Sequence, residues 1–227
     1  MAAPGASEMV VVVTGGDAVD PAHLPPMPPG TPVVAADSGI DQAHALGLVV
    51  DVAIGDFDSV SATGLAHAES DGARVDRHPV AKDATDLELA LDAALALAPA
   101  RVHVLGGHGG RLDHLLANAL LLARPAYAAV AITAQMGAAH LTIVRRQARL
   151  EGSVGGIVSL IPLHGPAIGV TTAGLLYPLV DEDLGAGSTR GVSNELTHPV
   201  GTVTIRRGVL AAVQPGSLGP HHQENLP

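Results

Sequence analysis

The sequence predicts a two-part α/β protein, with an N-terminal parallel-sheet α/β domain followed by a smaller all-β sandwich domain. Three observations predict it. Short apolar runs alternate with helix-period segments from residue 9 to about 133. The pattern changes at "QMGA", residues 135–138, to short Val, Ile and Leu runs broken by Gly and Pro. Beyond that change there is no helix-length amphipathic run.

Taken in order, "MVVVVT", "PVVAAD", "DVAIGD", "ARVDR", "RVHVLGG" and "AAVAIT" read as strands. Between them "GIDQAHALGL", "SATGLAHAESDG", "DLELALDAALALA" and "RLDHLLANALLLAR" read as helices. Strands alternating with helices imply a parallel sheet covered on both faces. The last helix places Leu112, Leu115, Leu116, Ala119 and Leu120 on one face, with His114 and Asn118 on the side away from them. In the second part "HLTIVRR", "GGIVSLIPL", "IGVTTAG" and "GTVTIRRGVLAAV" read as strands of a small antiparallel sandwich or barrel. The expected division is 1–135, 136–214 and a disordered tail 215–227, with a rigid Pro-rich loop at "HLPPMPPGTP".

Composition narrows the chemistry. The 227 residues contain no Cys, so disulfides, thiolate nucleophiles and Cys-type zinc sites are excluded. Hydrophobic content of 47% with one Phe, two Tyr and no Trp implies an aliphatic core, which makes any aromatic at a ligand site conspicuous. A formal charge of −10 argues against sequence-independent nucleic-acid binding and suits a divalent metal or a cationic small molecule. The N-terminus carries no signal-type segment and no run approaches a membrane span, so the expected location is cytoplasmic.

The polar clusters follow strands, where an open parallel sheet binds ligands. Asp37 and Ser38 follow the second, "GDFDS" with Asp56 and Asp58 the third, "RHPVAKDATD" the fourth and "GGHGGRLDH" the fifth. Asp56 and Asp58 have the spacing that points two side chains to one side of an extended segment, as a hard cation such as Mg²⁺ requires; alone they also read as a solvated turn. Thr85 with Glu88 makes a capping box, yet Asp83 and Asp86 exceed what a cap needs, and Lys82 beside them offers a charge for phosphate. Gly106, Gly107, Gly109 and Gly110 open a helix and allow close backbone approach to a phosphate, with Arg111 able to add a fork. This turn matches neither the P-loop nor the dinucleotide fingerprint. In the second part "GSTRGVSNEL" reads either as a hairpin loop or as hydrogen-bonding groups for a heteroaromatic ring, and "GLLYPL" holds Tyr177.

"ADSG", "GDFDS", "KDATDLELAL", "GGHGGRLDHLLAN" and "STRGVSNEL", in this order and spacing, resemble the thiamine pyrophosphokinase (thiamine diphosphokinase) family over roughly residues 9 to 213. The resemblance implies transfer of a pyrophosphoryl group from ATP, as co-substrate, to the hydroxyl of thiamine, with Mg²⁺, giving thiamine diphosphate and AMP. It implies a catalytic α/β domain and a thiamine-binding, dimerising sandwich. The homodimer would bind thiamine between the first domain of one subunit and the second of the other. Asp37, Asp56, Asp58 and Asp86, with Asp83 beside them, fall on the catalytic positions, and Asp56, Asp58 and Asp86 on the metal. Lys82, Gly107, Gly109, Gly110, Arg111, Asp113, His114 and Asn118 fall on the ATP side. Tyr177, Ser193 and Asn194 fall on the thiamine side. Two departures stand out: Ser38 where many relatives have a second Gly, and Tyr177 where some have Trp. The acidic clusters equally fit a metal-dependent phosphohydrolase or a pyrophosphokinase with another acceptor, and a third reading is a thiamine or nucleotide sensor without turnover.

Overall fold

The computed structural model describes residues 7–216. The tail expected from residue 215 lies outside them from residue 217 onward. The chain divides into two compact units, one up to Gly137 and one from Ala138.

The first unit alternates β1 (Met9–Val13), β2 (Val33–Ala36), α1 (Gly39–Ala45), β3 (Val52–Gly55), α2 (Ala62–Ser70), β4 (Arg74–Arg77), α3 (Asp86–Leu95), β5 (Arg101–Leu105), α4 (Leu112–Leu122) and β6 (Ala131–Met136). The strands lie in the order β6-β5-β1-β2-β3-β4 and every pairing is parallel. Val11, Val13, Val33 and Ala35 pack against Ile40, Ala43 and Ala68 from α1 and α2. The alternate residues Val10, Val12, Val34 and Ala36 are equally buried, and α3 packs on β1, β2 and β3. Both sheet faces are therefore covered, which is why these strands read as continuous apolar runs instead of alternating ones. Between β1 and β2 a 3-10 turn at Pro21–His23 opens the Pro-rich segment, which beyond His23 forms neither strand nor helix, and Leu24 and Met27 from it pack on the core.

This strand order fixes the site. From β1 the chain builds outward through β2, β3 and β4, then returns to place β5 on the other side of β1. Adjacent strands whose connections leave in opposite directions open a crevice at their carboxyl ends, and β1 and β5 are that pair.

The second unit holds two antiparallel sheets, β12-β9-β14-β7 and β11-β10-β13-β8. Its strands are β7 (Ala139–Val144), β8 (Gln147–Glu151), β9 (Ile157–Pro162), β10 (Ala167–Ala173), β11 (Glu182–Leu184), β12 (Asn194–Glu195), β13 (Val200–Thr204) and β14 (Leu210–Gln214). Val144, Leu160 and Leu210 from one sheet and Leu150, Val170 and Val203 from the other share one aliphatic core. The run read as one strand, "GTVTIRRGVLAAV", is split: β13 and β14 belong to different sheets, and Ile205 to Val209 carry the chain between them.

Helix α4 corrects the sequence expectation. Leu112, Leu116 and Leu120 are exposed, and the buried residues are Asn118 and Leu122. The side chain of Asn118 donates to the carbonyl of Gly107 at 3.1 Å, so the helix buries Asn118 while Leu112, Leu116 and Leu120 face outward and His114 stays exposed. A polar group paid for by a hydrogen bond has displaced the apolar stripe from the interior.

Candidate active site

The acidic end of β3 is built by a turn, not by the extended segment the spacing suggested. Phe57 adopts φ 63°, a rare conformation for a bulky residue. Its ring packs on the core, with the Arg77 guanidinium 4.9 Å from the ring centre. The turn folds Asp56 and Asp58 toward Asp37, which leaves β2 with its own left-handed φ of 48°. One carboxylate oxygen from each of Asp37, Asp56 and Asp58 lies within 4.8 Å of the other two.

Hydrogen bonds hold this trio. Ser59 Oγ is 2.5 Å from Asp37 Oδ2 and 2.8 Å from Asp58 Oδ1, one hydroxyl serving two carboxylates. The N–H of Asp58 donates to Asp56 Oδ1 at 3.3 Å. Asp37 Oδ1 is buried without a hydrogen-bond partner. Three clustered carboxylates, one with an unsatisfied buried oxygen, form the all-oxygen donor set that a hard divalent cation takes.

Lys82 stands inside this arrangement. Its Nζ lies 2.8 Å from Asp56 Oδ2 and 2.8 Å from Asp86 Oδ1, with the lysine side chain only 12% exposed. The hydrogen bond from Lys82, then that from the Asp58 backbone, holds the Asp56 carboxyl below its ordinary pKa. Burial opposes the charge on Lys82, but the bonds to Asp56 and Asp86 outweigh it and raise its pKa. The group expected to hold metal was Asp56, Asp58 and Asp86; the trio brought together is Asp37, Asp56 and Asp58, while Asp86 faces Lys82. Asp83 is exposed on the preceding loop and forms none of these contacts. Thr85 caps α3 by accepting from the Glu88 N–H at 3.2 Å, whereas the Glu88 side chain pairs with Arg124 and does not close the capping box.

Opposite the acids lies the Gly-rich loop after β5. Gly107 N–H donates to the Gly15 carbonyl at 2.8 Å, and Asp17 N–H to the His108 carbonyl at 2.6 Å, which locks this loop to the turn after β1. Gly16, at φ 132°, lies so close to the His108 backbone that a Cβ there would sit 2.2 Å from its carbonyl oxygen. Together these segments line a cavity of about 300 Å³ that reaches Thr14, Asp37, Ser59, Asp86, Gly107, Gly109, Arg111, His114 and Asn118. It sits at the β1/β5 crevice, and every lining residue belongs to the first unit. Arg111 and Asp113 form a two-pronged ion pair at 2.9 and 2.6 Å, which drives the Asp113 carboxyl well below its usual range. Gly110 takes φ 59° between these elements.

Sequence reasoning missed Thr14, Gly15, Gly16, Ser59 and His108 as lining residues. The "TGGD" that follows β1 was the available signal, a double glycine at the end of a strand.

In the second unit Tyr177 is 56% exposed and Asn194 is buried. The Asn194 amide is used at both ends: it accepts from the Tyr177 N–H at 3.0 Å and donates to the Tyr177 carbonyl at 2.7 Å. Asn194 thus holds the Tyr177 backbone in place. Ser193 is exposed at φ 56°, its N–H bound to Ser159 Oγ at 3.1 Å.

Comparison with known proteins gives a consistent answer. Residues 31–134 match the family described as "Thiamin pyrophosphokinase, catalytic domain", and residues 141–210 match "Thiamin pyrophosphokinase, vitamin B1 binding domain". The thiamine pyrophosphokinase of Bacillus subtilis (strain 168) is 30% identical over 192 residues, covering 80% of this chain and 86% of that protein. A crystal structure of thiamine pyrophosphokinase from B. subtilis superposes with a TM-score of 0.80 at 28% identity, covering 92% of this chain and 100% of that one. A Geobacillus thermodenitrificans thiamin pyrophosphokinase structure superposes at 0.78 and 28% identity, covering 93% and 99% respectively.

Proposed function

Because this chain belongs to the thiamine pyrophosphokinase family, enzymes that move the pyrophosphoryl group of ATP to the hydroxyl of thiamine, we propose a division of that work among its residues. Asp37, Asp56 and Asp58 hold the Mg²⁺ that accompanies ATP. The turn after β1, the Gly-rich loop and Arg111, His114 and Asn118 hold the nucleotide. The observation that carries this reading is one cavity at the crevice between β1 and β5, lined by Asp37 and Asp86 together with a glycine-rich backbone, with Asp56 and Asp58 clustered on Asp37 beside it.

Bound Mg²⁺ would neutralise phosphoryl charge and draw electrons from the β-phosphorus. The remaining work is positioning, for which this fold supplies rigid parts. Asp37 and Asp58 are fixed relative to each other by the shared Ser59 hydroxyl. Asp113 aims the Arg111 fork. Asn118 fixes the Gly107 carbonyl and so holds the Gly-rich loop in place beside the cavity. The carboxylate that takes the proton of thiamine's hydroxyl comes from this same acidic cluster, Asp56 or Asp58.

For thiamine, the reading assigns the exposed ring of Tyr177 as a stacking surface, with Ser193 beside it and Asn194 as the support that sets the Tyr177 backbone. A homodimer that joins the first unit of one copy to the second unit of its partner would bring this ring to the acidic cavity. Among the described residues no helix is long and apolar enough to cross a membrane, and a cytoplasmic location belongs to the same reading.

The test is AMP release from Mg·ATP by the purified chain, with and without thiamine, and with the product identified by mass. Thiamine-dependent AMP matched by thiamine diphosphate is expected. AMP released without thiamine would assign the cavity to a phosphohydrolase or to another acceptor, and thiamine binding without AMP would assign it to a sensor.

A further inference from the structure

Lys82 is the only lysine in the chain, beside eleven arginines. A chain that otherwise uses Arg for its permanent cations has a Lys where an ammonium enters the acidic site. The difference is chemical. Guanidinium is a planar fork that spreads its charge, whereas ammonium is a compact point charge with three donors, closer in shape to a metal ion.

Its position makes it a competitor. Asp56 has two carboxylate oxygens: Oδ1 accepts from the Asp58 N–H, and Oδ2 accepts from Lys82 at 2.8 Å. The same ammonium faces Asp86 Oδ1 at 2.8 Å, so it stays anchored if Asp56 is withdrawn. A divalent cation bound by the Asp37, Asp56 and Asp58 trio draws on the carboxylate that Lys82 now neutralises.

We propose that Lys82 is a positioning residue that competes with the divalent cation for Asp56, holding the acidic trio in place until the cation arrives and then yielding Asp56 to it. This rests on the reading of the trio as the metal site. Before the cation binds, the ammonium keeps Asp56 and Asp86 from repelling each other across the β3 turn. Once released from Asp56, it retains Asp86 and offers its free donors to the phosphate charge that enters with the cation. The alternative is a loop tie, in which Lys82 pins the β4–α3 loop to the end of β3 and keeps both carboxylates throughout.

Two measurements on the full chain separate these, both using metal alone. Titration with Mn²⁺ compares wild type with Lys82→Met, whose fold is checked by circular dichroism. Competition predicts that the variant binds Mn²⁺ about tenfold tighter or more, since a cation a few ångströms away no longer opposes it. The second measurement needs no variant. With one lysine in the chain, acylation by an amine-reactive ester, read by mass spectrometry, reports on Lys82 with the N-terminal amine as internal control. Saturating Mg²⁺ is expected to raise the Lys82 rate severalfold relative to that control. Unchanged or weaker Mn²⁺ affinity in the variant, or a Lys82 acylation rate indifferent to Mg²⁺, overturns the proposal and leaves Lys82 a loop tie. Absence of Mn²⁺ binding to wild type overturns the metal reading itself, and this proposal with it.

Discussion

At the scale of single residues, the acidic site depends on charges placed by unusual backbone. Asp37 and Phe57 both occupy left-handed conformations, and both lie at the ends of fully buried strands that can impose them. Replacing Asp58 by Asn keeps the shape of the side chain and its contact with Ser59 while removing one of three charges. Turnover with saturating thiamine is expected to fall about a hundredfold or more, the scale on which a single electrostatic group contributes to such sites. The thermal midpoint should move little, because Asp58 is exposed and ties down no secondary structure. Asp56→Asn should lose turnover in the same way, with Lys82 still anchored to Asp86. Near-wild-type turnover in either variant would remove that residue from the site. The aspartates were legible in the sequence because each sits directly behind an apolar run. That Asp37 clusters with Asp56 and Asp58 while Asp86 faces Lys82 was not, since it depends on the Phe57 turn and on Lys82, two tertiary facts with no local pattern.

At the scale of elements, the two helices that line the cavity, α3 and α4, are tied together by residues just beyond the C-terminal end of α4. Tyr127, just beyond α4, donates to Asp92 Oδ1 of α3 at 3.1 Å, and Arg124 pairs with Glu88. Burial first, then the Asp92 charge, pushes the Tyr127 phenol from 10.0 up to about 12. The folded state therefore keeps this proton where the unfolded chain has lost it. The stabilisation is complete below pH 10 and is lost as pH rises through about 12, because in that window the unfolded state binds fewer protons. Urea midpoints measured from pH 9 upward should fall more steeply for wild type than for Tyr127→Phe, and parallel curves would show that the phenol carries no such linkage. Elements were the most legible level: alternating runs and helical periods placed the strands and α-helices of the first unit, though not its short 3-10 turns at Pro21–His23 and Pro125–Tyr127. The orientation of α4 escaped, because apolar periodicity marks a face without saying whether that face is buried, and the Asn118 bond to Gly107 decides the matter from outside the helix. The short strands β8, β11 and β12 escaped for a related reason, since at two to five residues their pairing depends on partners distant in sequence.

At the scale of the whole molecule, charge divides unevenly. Residues 1–137 carry 16 acidic and 6 basic side chains, a net −10, while residues 138–227 carry 6 of each and are neutral. The net negative charge, which would favour a metal and a cationic thiazolium ring, thus lies in the first unit, whereas the exposed aromatic proposed for thiamine lies in the second. A homodimer that shares its sites across subunits makes a prediction that neither unit makes alone. Asp58→Asn damages the acidic half of each site and Tyr177→Ala the thiamine half, so each homodimer is crippled. If the two variants are unfolded and refolded together in equal amounts, random pairing puts half of the dimers in mixed form. In a mixed dimer one site receives both damaged halves and the other receives none, so activity should return to about a quarter of wild type. Sites completed within one chain would give no recovery, because every site would then carry one lesion. Sedimentation of the wild-type chain as a monomer would remove the shared site by a separate route.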